Sequence, residues 1–286
     1  KGMAYVVDGD VYFQVEKFSA YGMLSKRKLA DMQAGARVDV DERKRNPMDF
    51  ALWKSAKPGE PDWPSPWGRG RPGWHIECSA MALKHLRQPL DIHGGGEDLI
   101  FPHHENEIAQ SSGATDADFA RSWGHNGFVR VNQEKMSKSL GNFFTIREIF
   151  EKSQHRWREE ITGEMLRYFL MSTHYRGPLD FSDQALEEAK RALDGFYDLF
   201  GRLGESPPGT AGDASLPACI DRLRRDFRQS MDDDLNTSAA LAAFQAFRAD
   251  VNKMLEQGLS GQARDKARDA FRSVGVVLGL SQLYSW

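Results

Sequence analysis

The spacing of apolar and polar positions changes along the chain, and each spacing predicts a different element. Residues 3–13 alternate around an Asp-Gly pair, which predicts a β-hairpin. Residues 74–86 have helical spacing, and the apolar stretch 90–93 predicts a strand that ends in three glycines. A second helix is expected to open at Pro102, and 127–131 to form another strand. Strand, glycine turn and helix in alternation are typical of a parallel, doubly wound sheet.

From about residue 145 the pattern becomes helical. Thr162 is expected to cap a helix over 163–172, and Ser182 to open a longer amphipathic helix. A linker rich in proline and glycine, 205–215, precedes further apolar-periodic segments. These segments predict three helices, over 216–231, 237–257 and 262–275. Because their connections are short, we expect an antiparallel α-helical bundle after the α/β part.

Composition narrows the class of protein without naming a function. The chain has 286 residues, a net charge of −3 and 40% apolar residues, which is typical of a globular protein. No apolar run approaches the ~20 residues of a membrane span, so we expect no membrane association. Only two cysteines are present, Cys78 and Cys219, in regions of different character. We therefore expect no disulfide framework, a reducing compartment and a cytoplasmic protein.

A short Ser/Gly-rich segment carries two lysines three positions apart, Lys135-Met136-Ser137-Lys138-Ser139, which we call the lysine loop. Flexible ammonium groups can follow the negative charge of a polyphosphate, and serine hydroxyls add further donors. An isolated Lys-x-x-Lys is more often a solvated turn. This pentapeptide, however, resembles the signature loop of class I aminoacyl-tRNA synthetases. The resemblance implies catalytic and ATP-binding roles for Lys138 and Lys135, with Ser137 beside them.

A possible metal site combines a cysteine with a later histidine-rich motif. Cys78 is followed by His103-His104-Glu105-Asn106-Glu107, in which His103 and Glu107 share one face of a helix. Thiol, imidazole and carboxylate together suit Zn²⁺. His104 points about a quarter-turn away and is expected either to support the metal ligands or to face substrate. The alternatives are an inert buried cysteine and a surface ion pair, and spacing alone does not exclude them.

Three glycines followed by acidic residues suggest the nucleotide side of the site. Gly94, Gly95 and Gly96 end the predicted strand, where glycine lets the backbone approach a ligand closely. Asp98 can accept hydrogen bonds from ribose hydroxyls. We therefore expect these four residues to bind ATP, although a Gly-Gly-Gly segment is more often a plain turn.

Residues 73–79, 91–99 and 101–110 together closely resemble the cysteinyl-tRNA synthetase family. The resemblance implies that Cys78, His103 and Glu107 are three of four zinc ligands, that zinc binds the thiol of substrate cysteine, and that Trp74 helps to form the amino-acid pocket. It implies ATP with Mg²⁺ as substrate, tRNA(Cys) as partner and a monomeric enzyme.

The resemblance also sets expectations about the fold and its divisions. We expect the second half of a Rossmann-like doubly wound parallel sheet with an inserted connective segment, followed by the bundle. The predicted divisions are a connective segment, a catalytic half with the zinc site and lysine loop, a linking helical segment and a tRNA-binding bundle: 1–70, 71–145, 146–180 and 181–286.

The family's His-x-Gly-His motif and its fourth zinc ligand, a cysteine, are expected to precede Lys1, and an anticodon-reading domain to follow Trp286. The isolated chain is therefore expected to be inactive. Two other functions stay open at this point: a ligase that joins cysteine to a sugar amine in thiol biosynthesis, and a catalytically silent RNA-binding fragment.

Overall fold

The computed structural model describes residues 1–29, 41–153, 159–205 and 209–280. These residues form two compact units, Lys1–His125 and Asn126–Trp286. Within the described residues, no helix combines the length and the apolar character that crossing a bilayer requires.

The first unit begins with a four-stranded antiparallel sheet whose strands follow chain order. The strands are β1 (Ala4–Val7), β2 (Asp10–Phe13), β3 (Phe50–Ser55) and β4 (Gly70–Pro72). Asp8 and Gly9 join β1 to β2 with φ of 51° and 83°, as a tight hairpin turn requires. The predicted hairpin is confirmed, whereas β3 and β4 were not predicted.

The rest of the first unit carries the candidate metal ligands. Its elements are α1 (Trp74–Leu86), β5 (Leu90–Gly96), a π-helical turn (Ile100–His104), α2 (Glu105–Thr115) and β6 (Ala120–Asn126). Strand β5 pairs with β6 and includes the three glycines, so it is longer than predicted. A small cluster formed by Leu90, Ile108 and Phe119 packs α2 against this strand pair.

The second unit opens with a three-stranded sheet in the order β8-β7-β9. The strands are β7 (Val129–Val131), β8 (Glu134–Lys135) and β9 (Leu179–Phe181). Strand β7 runs antiparallel to β8 and parallel to β9. The β7–β8 turn consists of Asn132 and Gln133, with φ of 50° and 69°. This hairpin delivers the chain directly into the lysine loop.

Helices make up the remainder of the second unit. They are α3 (Ile146–Ser153), α4 (Glu159–Met171), α5 (Asp183–Glu205), α6 (Leu216–Asp232), α7 (Thr237–Gln257) and α8 (Gly261–Leu278). Phe196, Phe244 and Phe271 pack edge-on in their core, with the rings of Phe244 and Phe271 4.8 Å apart. The α/β class followed by a helical bundle is confirmed. The predicted cap at Thr162 is wrong, because this residue lies inside α4.

Candidate functional site

Helices α1 and α2 carry the predicted metal ligands and are fixed to each other by one glutamine. Gln110 of α2 donates from Nε2 to the carbonyl oxygen of His75 and to the hydroxyl of Ser79, both at 2.6 Å. These two acceptors lie on either side of Cys78 along α1. The glutamine therefore sets the position of the thiol relative to α2.

Cys78, His103 and Glu107 come together as the sequence predicts. Their ligand atoms all lie within 4.8 Å of one another. His103 Nε2 lies 3.8 Å from Glu107 Oε2, and both side chains are buried. A sulfur, a nitrogen and an oxygen at this separation match the donor set that zinc accepts.

One buried oxygen of this cluster lacks a hydrogen-bond partner among the described residues, which favours a bound cation. Glu107 is 0% exposed; its Oε2 accepts from His93 Nε2 at 3.0 Å, while its Oε1 has no hydrogen-bond partner among the described residues. A buried carboxylate oxygen without a partner is costly unless a cation lies beside it. The residues present therefore fit a bound zinc ion.

His103 is oriented by two neighbours. Its Nδ1 lies 2.8 Å from His75 Nδ1, a hydrogen-bond distance, so its Nε2 is the nitrogen that faces Glu107. The Trp74 ring stacks on the His103 ring with 4.3 Å between centroids. Trp74 itself is 52% exposed, so one face of its indole remains open to a ligand.

His104 belongs to a second, overlapping cluster. Its Nε2 lies 3.9 Å from Glu107 Oε2, and His93, His104 and Glu107 also satisfy the spacing of a metal site. His104 Nδ1 hydrogen-bonds His125 Nε2 at 2.8 Å. The structure thus places His104 among buried imidazoles. Sequence reasoning missed His93, His75 and His125, since each lies on a different element from its partner.

The protonation states of these groups suit metal binding. Burial lowers the pKa of His104 to about 3 and that of His75 to about 4, with neighbouring imidazoles adding to both shifts. Burial also lowers the pKa of His103. His75 and His104 are therefore neutral at pH 7. Burial and the Glu107 charge raise the pKa of the Cys78 thiol, so a nearby cation is needed to release its proton.

The ligands His103 and Glu107 belong to a buried run, residues 103–111, and other side chains of this run anchor it. Glu105 accepts from the backbone N–H groups of Gly22 and Ser25 at 2.9 and 2.8 Å. Asn106 Oδ1 accepts from the Tyr21 hydroxyl at 2.5 Å. The motif therefore uses His103 and Glu107 toward the metal cluster and Glu105 and Asn106 as anchors, and sequence reasoning identified only the metal-facing ones.

The glycines that end β5 permit close packing at the same place. A Cβ on Gly95 would lie 3.1 Å from His104 Cε1, and one on Gly94 would lie 3.0 Å from the Gly124 carbonyl oxygen. A Cβ on Gly96 would lie 2.5 Å from Asp98 Oδ1, so the Asp98 carboxylate lies over this glycine. Asp98 is exposed in a 3₁₀ turn. The predicted ATP contacts of these four residues remain a prediction.

In the second unit, the lysine loop leaves β8 with both ammonium groups exposed. Lys135 Nζ lies 4.3 Å from the centroid of the Phe128 ring, and Lys138 Nζ 5.5 Å from that of Phe143. Neither lysine forms a salt bridge within the part of the chain that the structure describes. Ser137 hydrogen-bonds Ser139 through their hydroxyls at 3.2 Å. The loop therefore presents two cations that an anionic ligand can reach.

The chain is similar to known proteins over most of its length. The family model described as tRNA synthetases class I (C) catalytic domain matches residues 1–191, and a DALR domain matches 226–282. Cysteine–tRNA ligases of Geobacter metallireducens and Geobacter sulfurreducens are 54% and 55% identical to this chain, and each alignment covers 98% of it. The Carboxydothermus hydrogenoformans cysteine–tRNA ligase is 58% identical over 85% of the chain. The chain spans 58% of the two Geobacter proteins and 51% of the third.

Solved structures support the same fold. Mycobacterium tuberculosis methionyl-tRNA synthetase in complex with methionyl-adenylate aligns with a TM-score of 0.55 at 17% identity, covering 97% of this chain and 63% of that one. The Agrobacterium radiobacter K84 agnB2 LeuRS in its ternary complex aligns with a TM-score of 0.52 at 16% identity, covering 78% and 34%. With the catalytic-domain model matching residues 1–191, the chain belongs to the class I tRNA synthetase (C) family.

Proposed function

We propose that this chain provides the zinc site and the lysine loop of a cysteine–tRNA ligase. In the proposed reaction, a carboxylate oxygen of cysteine attacks the α-phosphorus of ATP and pyrophosphate leaves. A terminal ribose hydroxyl of tRNA(Cys) then attacks the cysteinyl carbonyl carbon and AMP leaves. The observation that carries the proposal is the cluster of Cys78, His103 and Glu107 in a member of this synthetase family.

Selection of cysteine is assigned to the metal cluster. When bound, zinc supplies a Lewis acid that holds a thiolate much more strongly than a serine hydroxyl. A pocket without such a group would separate these near-isosteres poorly. Cys78, His103 and Glu107 would hold the ion. The exposed face of Trp74, the His103 ring stacked on it and the neighbouring His104 ring are proposed to bound the amino-acid pocket.

ATP, as its Mg²⁺ complex, is assigned to two sets of residues. Lys135 and Lys138 would neutralise the triphosphate as negative charge moves to the leaving pyrophosphate, with Ser137 as a further donor. Gly94–Gly96 would let the backbone approach adenosine, and Asp98 would accept from ribose hydroxyls. The exposed, unbridged ammonium groups of the loop support this assignment.

The helical bundle is proposed to bind tRNA(Cys), in a monomeric cytoplasmic enzyme. The DALR match over 226–282 and the names of the similar ligases support tRNA as the acceptor. They favour it over a sugar amine. The assembled metal donors favour a catalytic role over that of a silent RNA-binding fragment.

Replacing the thiol ligand tests the proposal in the full-length protein. Cys78→Ala should lose stoichiometric zinc, measured by atomic emission, and should lose its preference for cysteine over serine in ATP–pyrophosphate exchange. Cys219→Ala is the matched control, because Cys219 lies in the core of the bundle on α6 and should leave zinc content unchanged. Full zinc content in Cys78→Ala, or a wild-type protein without cysteine-dependent exchange, would contradict the proposal.

A further inference from the structure

A single side-chain amide closes the lysine loop. Asn142 Oδ1 accepts from the Ser137 backbone N–H at 2.8 Å, and Asn142 Nδ2 donates to the Lys135 carbonyl oxygen at 3.1 Å. The two backbone groups lie on either side of Met136. A residue of a parallel β-strand bonds to its neighbour in this same pattern. The Asn142 side chain therefore acts as one residue of an additional strand beside the loop.

The opposite edge of the same segment is also held. Met136 N–H donates to the Val129 carbonyl oxygen at 3.1 Å, on the β7 side. Beyond the segment, Gly141 N–H donates to the Lys138 carbonyl oxygen at 3.2 Å, and Gly141 has a φ of 68°, which suits glycine. The backbone that carries the two lysines is thus fixed from both sides.

We infer that Asn142 is a positioning residue for the activation reaction, an inference that rests on the proposed function. Its amide is occupied by the backbone of the loop. It therefore acts by fixing the backbone positions from which the side chains of Lys135 and Lys138 extend. An amide carries an acceptor oxygen and a donor nitrogen on the same carbon, which are the two groups that this contact uses.

The sensitivity of the reaction to this contact follows from the role of the lysines. Their ammonium groups must meet charge that develops on the leaving pyrophosphate, and a misplacement of about 1 Å can reduce such a rate on the order of 100-fold. Without Asn142, the segment keeps its Met136 contact to β7 and loses the partner on its other edge. The cost should therefore appear in kcat rather than in binding of cysteine.

Asn142→Ala in the full-length protein tests the inference by two independent measurements. Cysteine-dependent ATP–pyrophosphate exchange should show a kcat lower by roughly 10- to 100-fold, with the KM for cysteine and the zinc content unchanged. Limited trypsin digestion should cleave faster after Lys135 and Lys138, because the loop opens more readily. Lys84→Ala, which removes an exposed side chain from α1, should change neither result. Thermal unfolding checks that both variants fold.

The outcomes separate this inference from the proposed function. A wild-type protein that shows no cysteine-dependent exchange overturns the proposed function, and the positioning role with it. With an active wild type, an unchanged kcat in Asn142→Ala overturns the positioning role alone. A lower kcat without faster cleavage after Lys135 and Lys138 also overturns it, since the loop would then be equally closed in both proteins.

Discussion

Replacing Glu107 by glutamine should make the protein more stable than wild type without zinc and less stable than wild type with zinc. In wild type, the fully buried carboxylate accepts one hydrogen bond from His93 and leaves Oε1 without a partner among the described residues. Glutamine has the same size and keeps an acceptor for His93, but it carries no charge. Because a buried charge costs more to leave unpaired than a neutral group, Glu107→Gln should raise the unfolding free energy in chelator by about 1–2 kcal/mol.

Zinc should produce the opposite order. Loss of the carboxylate ligand is expected to weaken zinc binding by at least ~100-fold, the upper range for residues that only support a ligand. With free zinc buffered at 100 times the wild-type Kd, wild type gains about 2.7 kcal/mol. A variant with 100-fold weaker binding gains only about 0.4 kcal/mol under the same conditions. The two stability curves should therefore cross between chelator and zinc.

Denaturant unfolding of the full-length protein, followed by tryptophan fluorescence with chelator or buffered zinc, measures both quantities. Glu77→Gln is the control, because Glu77 is an exposed glutamate next to Cys78 on α1 and should gain as much from zinc as wild type does. Equal gains in Glu107→Gln and wild type would refute the assignment of Glu107 as a ligand.

Two further predictions concern anchoring contacts. Glu105→Ala should destabilise the first unit by roughly 3 kcal/mol or more in denaturant unfolding, because the N–H groups of Gly22 and Ser25 both lose a carboxylate acceptor; an unchanged midpoint would contradict this. The hydrogen bond from Arg176 lowers the pKa of Asp234 from 3.8 to about 2. The stability that this contact provides should be complete above pH 5 and lost as pH falls through 2, so Asp234→Asn should differ from wild type at pH 7 and converge with it below pH 2.

The helices of the second unit were the most predictable part of the fold. The predicted helix over 237–257 coincides with α7, and the one over 216–231 ends one residue before α6 does. Their apolar positions repeat with helical spacing over several turns, and residues such as Asn236 and Ser260 cap their N-termini with side-chain acceptors. Pattern and capping therefore act locally, within the reach of sequence reasoning.

Strands β3 and β4 show why other elements could not be predicted. Gly70 and Pro72 have low strand propensity, yet the segment pairs with β3 over three residues. A Cβ on Gly70 would lie 2.3 Å from the Lys54 carbonyl oxygen, so the glycine is required by a contact to a residue 16 positions earlier. Such long-range packing overrides local propensity and leaves no local pattern to detect.

Some residues of the candidate site could likewise be predicted from the sequence, and others could not. Cys78, His103 and Glu107 could be proposed because their chemical types and the i, i+4 spacing suit zinc, and the structure brings them together. His93 and His75 could not, because a histidine on a strand or on another helix becomes a partner only once the elements pack. Sequence reasoning thus identifies groups of distinctive chemistry but misses the groups that orient them.

The buried polar run 103–111 of the first unit contains both metal-facing side chains and side chains that anchor the run. His103 and Glu107 face the cluster, while Glu105 bonds to the backbone of residues 22 and 25 on the other side. Burying so many polar groups is tolerable only when each has a partner. The Glu105 contacts hold the turn of helix from one side, so the ligands on its opposite face keep their spacing before a metal arrives. Glu107 Oε1 lacks a partner within the described residues, so a bound ion would offset the cost of burying this charged oxygen.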